Sequence, residues 1–83
     1  MVRENDFVAI FNSIHRVMKA EKVLKHGGAD FLLIPVPRQL SADCGLAIRY
    51  APRDRQKVEE LLQREGLLPA ELYCREKGAF RRL

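Results

Sequence analysis

Two cysteines, at positions 44 and 74, are the thiol nucleophiles of this 83-residue chain. Cys44 lies in Pro37-Arg38-Gln39-Leu40-Ser41-Ala42-Asp43-Cys44-Gly45, a stretch with neither helical nor strand period, and so belongs to a loop. A thiol reacts as the thiolate, and a nearby cation or helix N-terminus favours that form. Arg38 brings a full positive charge to the same loop, Ser41 offers a hydroxyl to an anionic sulfur, and Gly45 permits close backbone approach. Asp43 opposes them wherever its carboxylate turns inward. His15 is the histidine with a chemical case, as acceptor of the thiol proton or as an imidazolium beside the anion. The ordinary alternatives are bland: most free cysteines are small buried hydrophobes, loop serines make local turn contacts and surface histidines are solvated. No CxxC pair, zinc-spaced Cys/His set, phosphate-binding glycine loop, carboxylate pair or serine-nucleophile motif is present, which weakens readings as a stand-alone enzyme.

Composition bounds the setting of that loop. Apolar residues make up 47% of the chain and charged ones 31%, as expected of one domain over residues 1–83, with a core at about 7–75 and a basic C-terminal tail at 76–83. A chain this short buries only about 60% of its unfolded surface and has no deep interior for a large cofactor. No run approaches the ~20 apolar residues of a membrane span, and Met1 to Asp6 lacks a secretory pattern, so the expected location is the cytoplasm with both thiols reduced. Fifteen Lys and Arg against eleven Asp and Glu give a net charge of +4, with acids interspersed among the bases. That basicity permits a nucleic-acid partner without requiring one.

The elements that must hold the loop follow from periodicity. Phe7-Val8-Ala9-Ile10-Phe11 reads as a strand. Asn12 and Ser13 are N-cap residues for a helix with Ile14, Val17, Ala20 and Leu24 at helical spacing, ended by Gly27-Gly28. Phe31-Leu32-Leu33-Ile34 is an unbroken apolar run, read as a well-buried second strand. Gly45 to Tyr50 alternates as a third strand. A second helix runs from Pro52 to Gly66 around Val58, Leu61 and Leu62, and Glu71 to Arg75 is a last strand. The order β-α-β-β-α-β predicts an α+β, ferredoxin-like fold: a four-stranded antiparallel sheet with both helices on one face. In strand order 4-1-3-2 the start of strand three meets the end of strand one, which brings Cys44 toward Asn12, Ser13 and the first turn of helix one. Cys74, on a strand across strand one from strand three, is too far from Cys44 for a disulfide and is assigned to packing or an exposed edge. Glu21 lies beside the apolar stripe of helix one, four residues before Lys25, the spacing of an ion pair. Phe7 and Phe11 share a strand face on which bases could stack, although strand three lacks the aromatic signature of RNA-recognition domains.

The segments Phe11-Asn12-Ser13-Ile14-His15, Ala20-Glu21-Lys22 and Ile34-Pro35-Val36-Pro37-Arg38-Gln39-Leu40-Ser41-Ala42-Asp43-Cys44-Gly45-Leu46-Ala47-Ile48-Arg49 resemble a family of small bacterial proteins, the selenium/sulfur carrier-like proteins. The resemblance covers residues 7–75 and is most specific at Pro-x-Pro-Arg-x-x-Ser-x-x-Cys-Gly. It implies a thiol that holds sulfur or selenium as a persulfide or selenopersulfide. Cys44 falls on the carrier position, and Arg38, Ser41 and Gly45 on its surrounding motif.

The residues allow the same chemistry without metal or organic cofactor: Cys44 accepts sulfur from a cysteine desulfurase or selenium-donor protein and hands it to an acceptor enzyme. Asn12 and Ser13 contribute the helix start, and His15 assists proton transfer. The competing expectations are an oligomeric ligand-binding or regulatory module, an RNA-binding domain, and a metal chaperone using Cys44 and His15. Exposed sheet edges favour a homodimer.

Overall fold

The computed structural model describes residues 2–40 and 45–83. Strand β1 (Phe7–Ile10) leads into helix α1 (Ile14–His26), strands β2 (Leu32–Pro35) and β3 (Leu46–Tyr50), a 3-10 turn (Pro52–Asp54) continuing as helix α2 (Arg55–Arg64), and strands β4 (Glu71–Glu76) and β5 (Ala79–Arg82). The sheet order is β2-β3-β1-β4-β5, with every adjacent pair antiparallel. The fold is therefore α+β as expected, but the sheet has five strands instead of four. The first four stand in the order β2-β3-β1-β4, and the fifth extends the sheet beyond β4.

That fifth strand corrects the expected basic tail. Lys77 and Gly78 both take left-handed backbone angles, φ 52° and 76°, and make a two-residue turn that brings Ala79 opposite Glu76. Such a turn matches the natural twist of a hairpin. The two arginines of that tail meet carboxylates of β4: Arg81 lies 2.8 Å from Glu76, and Arg82 Nη1 lies 4.0 Å from Glu71.

Helix α1 is fixed at both ends. Ser13 is extended, and its Oγ accepts a hydrogen bond from the Arg16 N–H at 3.3 Å. At the other end the Gly28 N–H donates to the Lys25 carbonyl and the Ala29 N–H to the Leu24 carbonyl, with Gly28 at φ 72°. These paired bonds form a Schellman stop, for which a left-handed glycine is the usual requirement. Glu21 and Lys25 make no ion pair among the described residues.

Both helices cover one face of the sheet. Val17, Ala20 and Leu24 of α1 and Val58 and Leu62 of α2 close over Phe7, Ala9, Phe11, Ile48 and Tyr50. Phe7 and Phe11 are thus buried beneath helices, at 6% and 2% exposure, and no base can stack on them. The other face is not bare either. Val8, Ile10, Ile34 and Ala47 are buried there under Val2, Val36, Leu40, Tyr73 and Phe80. The apolar run at β2 is less buried than its continuity suggested: Leu32 is 46% exposed because β2 is an edge strand. No helix among the described residues is long and apolar enough to cross a membrane.

Candidate functional site

The end of β1 and the start of β3 meet at a cleft of about 370 Å³. Antiparallel pairing sets this up: Ile10 lies opposite Ala47, so the residue two before Ala47, Gly45, comes beside the chain leaving β1. That chain turns sharply. Phe11 is buried in the core, Asn12 takes a left-handed φ of 56°, and Ser13 starts α1. Asn is among the few side chains that tolerate that region without large cost. Across the cleft, the Val36 N–H donates to the Gly45 carbonyl at 3.0 Å and the Leu40 N–H to the Pro37 carbonyl at 2.9 Å, which folds the loop after β2 back toward β3.

Asn12, Ser13 and Gly45 therefore share one cleft with Ile14, Leu40 and Glu71, as the strand-order argument required of the first three. A helix beginning at such a wall offers backbone N–H groups with no intrahelical acceptor and a partial positive charge. The opposite influence comes from Glu71, which composition and motif reading passed over. It starts β4, and its register opposite Ile10 places it at the same end of the sheet. The signal was available: once β4 is set beside β1, its first residue must face the end of β1. The Glu71 carboxylate is not solitary, since the Tyr73 hydroxyl donates to its Oε1 at 2.6 Å and Arg82 Nη1 stands 4.0 Å away. That hydrogen bond holds the Tyr73 phenol above its ordinary pKa.

The remaining sequence-selected residues separate into groups. Ser41 and Cys44, with Asp43, lie outside the described residues. Arg38 is exposed in the turn before Leu40, and His15 is exposed on the first turn of α1; neither is among the described residues lining the cleft. Gly45 lines the cleft, and among the described residues a Cβ at that position would meet Val36 Cγ2 at 3.6 Å, ordinary contact. Of the two places expected for Cys74, packing or an exposed edge, the structure gives packing: it is 7% exposed within the helix-side core, with Sγ 3.8 Å from the Asn5 carbonyl oxygen. Burial, reinforced by the Glu76 carboxylate, pushes its thiol pKa up, leaving a poor nucleophile at neutral pH.

Comparison with known proteins agrees with the motif. The model of a family described as "Putative Se/S carrier protein-like" matches residues 6–74. A curated relative, "Uncharacterized protein YtiA" of Escherichia coli (strain K12), is 28% identical over 76 residues, 92% of this chain and 86% of the relative. No solved structure matches.

Proposed function

The chain belongs to the Se/S carrier protein-like family, and we propose that it carries sulfur or selenium on Cys44. One observation supports this reading more than any other. Leu40 and Gly45, the described residues that bracket the Ser41-to-Cys44 segment, both line the cleft at which the Ser13-capped start of α1 is found. On this proposal the Cys44 thiolate works against the start of α1, where an anion is favoured.

The step balances without any redox partner. The Cys44 thiolate attacks the outer sulfur of a donor persulfide, R–S–S–H; a new S–S bond forms on Cys44, the donor's S–S bond breaks, and the donor leaves as the thiolate R–S⁻. The proton stays with the transferred sulfur or passes to solvent. With selenium the outer atom changes and the bookkeeping is the same. In this reading Asn12 and Ser13 hold the helix start against the anion, Ser41 hydrogen-bonds it, and Gly45 lets the loop turn into β3. Arg38 and His15, outside the cleft lining, meet the incoming donor. The donor is a cysteine desulfurase or a selenium-donor protein, the recipient is an acceptor enzyme, and the chain carries the atom between them without catalysing a reaction of its own.

Intact-protein mass spectrometry tests this. The chain is incubated with a cysteine desulfurase and either cysteine or selenocysteine, and wild type is compared with Cys44→Ser and Cys74→Ser. An adduct of one sulfur or selenium atom lost only in Cys44→Ser is the expected result. No adduct in any variant, or loss of half of it in each, sinks the reading.

A further inference from the structure

Helix α1 presents an outward face that its role in the core does not explain. At ~100° per residue, Ile14, Met18, Lys19, Lys22 and Lys25, together with His15 and His26, fall within one arc of about 140°, opposite the buried Val17, Ala20 and Leu24. All seven are exposed. Two of them are large apolar side chains, Ile14 at 55% exposure and Met18 at 38%, one helical turn apart. The others are bases, and none of the three lysines has an ion-pair partner among the described residues. The one acid of the helix, Glu21, is half-buried on its flank. Ile14 also lines the cleft, so the apolar strip begins at the cleft wall and the basic rim continues away from it.

We infer that this face of α1 is the docking surface for the protein that delivers sulfur, and that the partner presents an apolar spot rimmed by carboxylates. The inference rests on the carrier reading of Cys44. Charge complementarity selects the partner: a basic rim without acids accelerates encounter with an acidic surface and rejects a basic one, while the small apolar centre fixes register once contact is made. Two side chains of apolar area are far too little to insert into a bilayer. The helix also carries no Phe, Tyr or Trp for stacking on bases, so its chemistry favours protein over single-stranded nucleic acid.

The test separates docking from thiol chemistry by using two sulfur donors on the same chain. One is glutathione persulfide, too small to need a docking face; the other is a persulfide-charged cysteine desulfurase. Wild type, Lys19→Glu/Lys22→Glu, Met18→Asp and a control reversal on α2, Lys57→Glu/Arg64→Glu, are compared after circular dichroism has checked that each is folded. The expected result is equal loading of all four by glutathione persulfide. Loading by the desulfurase should fall about tenfold in the two α1 variants, stay near wild type in the α2 control, and weaken as salt rises. Equal desulfurase rates in every variant overturn the inference, as does a desulfurase that fails to load wild type when glutathione persulfide succeeds. Retention on anionic vesicles or oligouridylate that the α1 variants lose, with desulfurase transfer unchanged, also overturns it and assigns the face to lipid or RNA. If glutathione persulfide loads no variant, wild type included, the carrier reading itself falls and the inference falls with it.

Discussion

The two ends of the sheet are built on opposite plans. Where β1 begins, Phe7 lies between Tyr50 and Cys74 in the register, and everything is closed. The Phe7 and Tyr50 rings stack at 5.4 Å, and the Arg55 guanidinium covers Phe7 at 4.6 Å. Beside them the buried Asp6 carboxylate accepts from Arg49 at 3.0 Å and from the Arg3 N–H at 2.9 Å. Where β1 ends, the register neighbours are Ala47 and Glu71, the chain takes a left-handed residue at Asn12, and a cleft remains. The same four-residue strand thus ends in closed packing on one side and in a cleft on the other. Cys74 belongs to the sealed end, and Gly45, the residue that follows Cys44 in the sequence, lines the open one. If the division is real, damage at the sealed end changes stability alone, and damage at the open end changes thiol chemistry.

The largest expected effect comes from emptying the sealed end. Phe7→Ala removes a ring buried to 6% exposure and leaves a cavity between Tyr50 and Arg55, a loss of about 3–5 kcal/mol of stability by urea denaturation. Under conditions where the variant is still folded, the alkylation rate of Cys44 should match wild type. A changed rate with unchanged stability would reverse the comparison.

Next is the ion pair. Asp6→Ala leaves the Arg49 guanidinium, with only 20% side-chain exposure and a buried Nε that has no partner among the described residues, lacking its counter-charge. Breaking one side of a buried pair costs more than the pair contributes, so a loss of about 2–3 kcal/mol is expected. Replacing both, as Asp6→Ala/Arg49→Met, should recover part of it. A double variant less stable than Asp6→Ala would show that the charges act separately.

A third test uses pH. Burial and the Glu59 carboxylate raise the Tyr50 phenol well above its ordinary 10.0, and burial raises the Cys74 thiol above 9.0. Both groups hold their protons more tightly when folded. Their contribution is therefore complete below the unfolded values and is lost as pH rises through 9.0 and 10.0 toward the folded ones. Stability should fall along an alkaline limb that Cys74→Ala makes shallower at its lower end and Tyr50→Phe at its upper end. A limb identical in all three proteins would mean that other groups set it.

The division also explains what the sequence could and could not convey. The helix-side core was legible because burial writes itself as pattern: Leu46, Ile48 and Tyr50 alternate, and Val17, Ala20 and Leu24 keep helical spacing. The cleft was half legible, since strand order alone brings Gly45 to Asn12 and Ser13. Glu71 was hidden because its importance lies in register across β1, not in a local motif. Residues Ala79 to Arg82 were hidden because Lys77, with a left-handed φ of 52°, is an unusual residue for a hairpin turn, and Arg81-Arg82 resembles a solvated tail. The exposure of Leu32 was misread for a different reason. An unbroken apolar run signals coverage on two faces only for an inner strand, and periodicity does not tell inner from edge.

The smallest effect on stability is expected at the open end, and it is the most informative. Ser13→Ala removes the hydroxyl that accepts from the Arg16 N–H, and loss of such a cap costs about 1 kcal/mol. The contact is exposed and 3.3 Å long, so the cost should be no larger than that. Yet the first turn of α1 would then fray where it forms the cleft wall, and the partial positive charge offered to an anion there would weaken. On the carrier reading, Ser13→Ala therefore slows iodoacetamide alkylation of Cys44 near neutral pH and shifts its pH midpoint upward, while Cys74 stays unreactive until the chain unfolds. Ser13→Asp restores a capping acceptor but adds a negative charge at the same wall. It should recover stability without recovering the thiol's reactivity, because capping tolerates a carboxylate that a thiolate does not. If Ser13→Ala and Ser13→Asp alkylate at the wild-type rate, the helix start does not act on the thiol, and the openness of this end has another purpose.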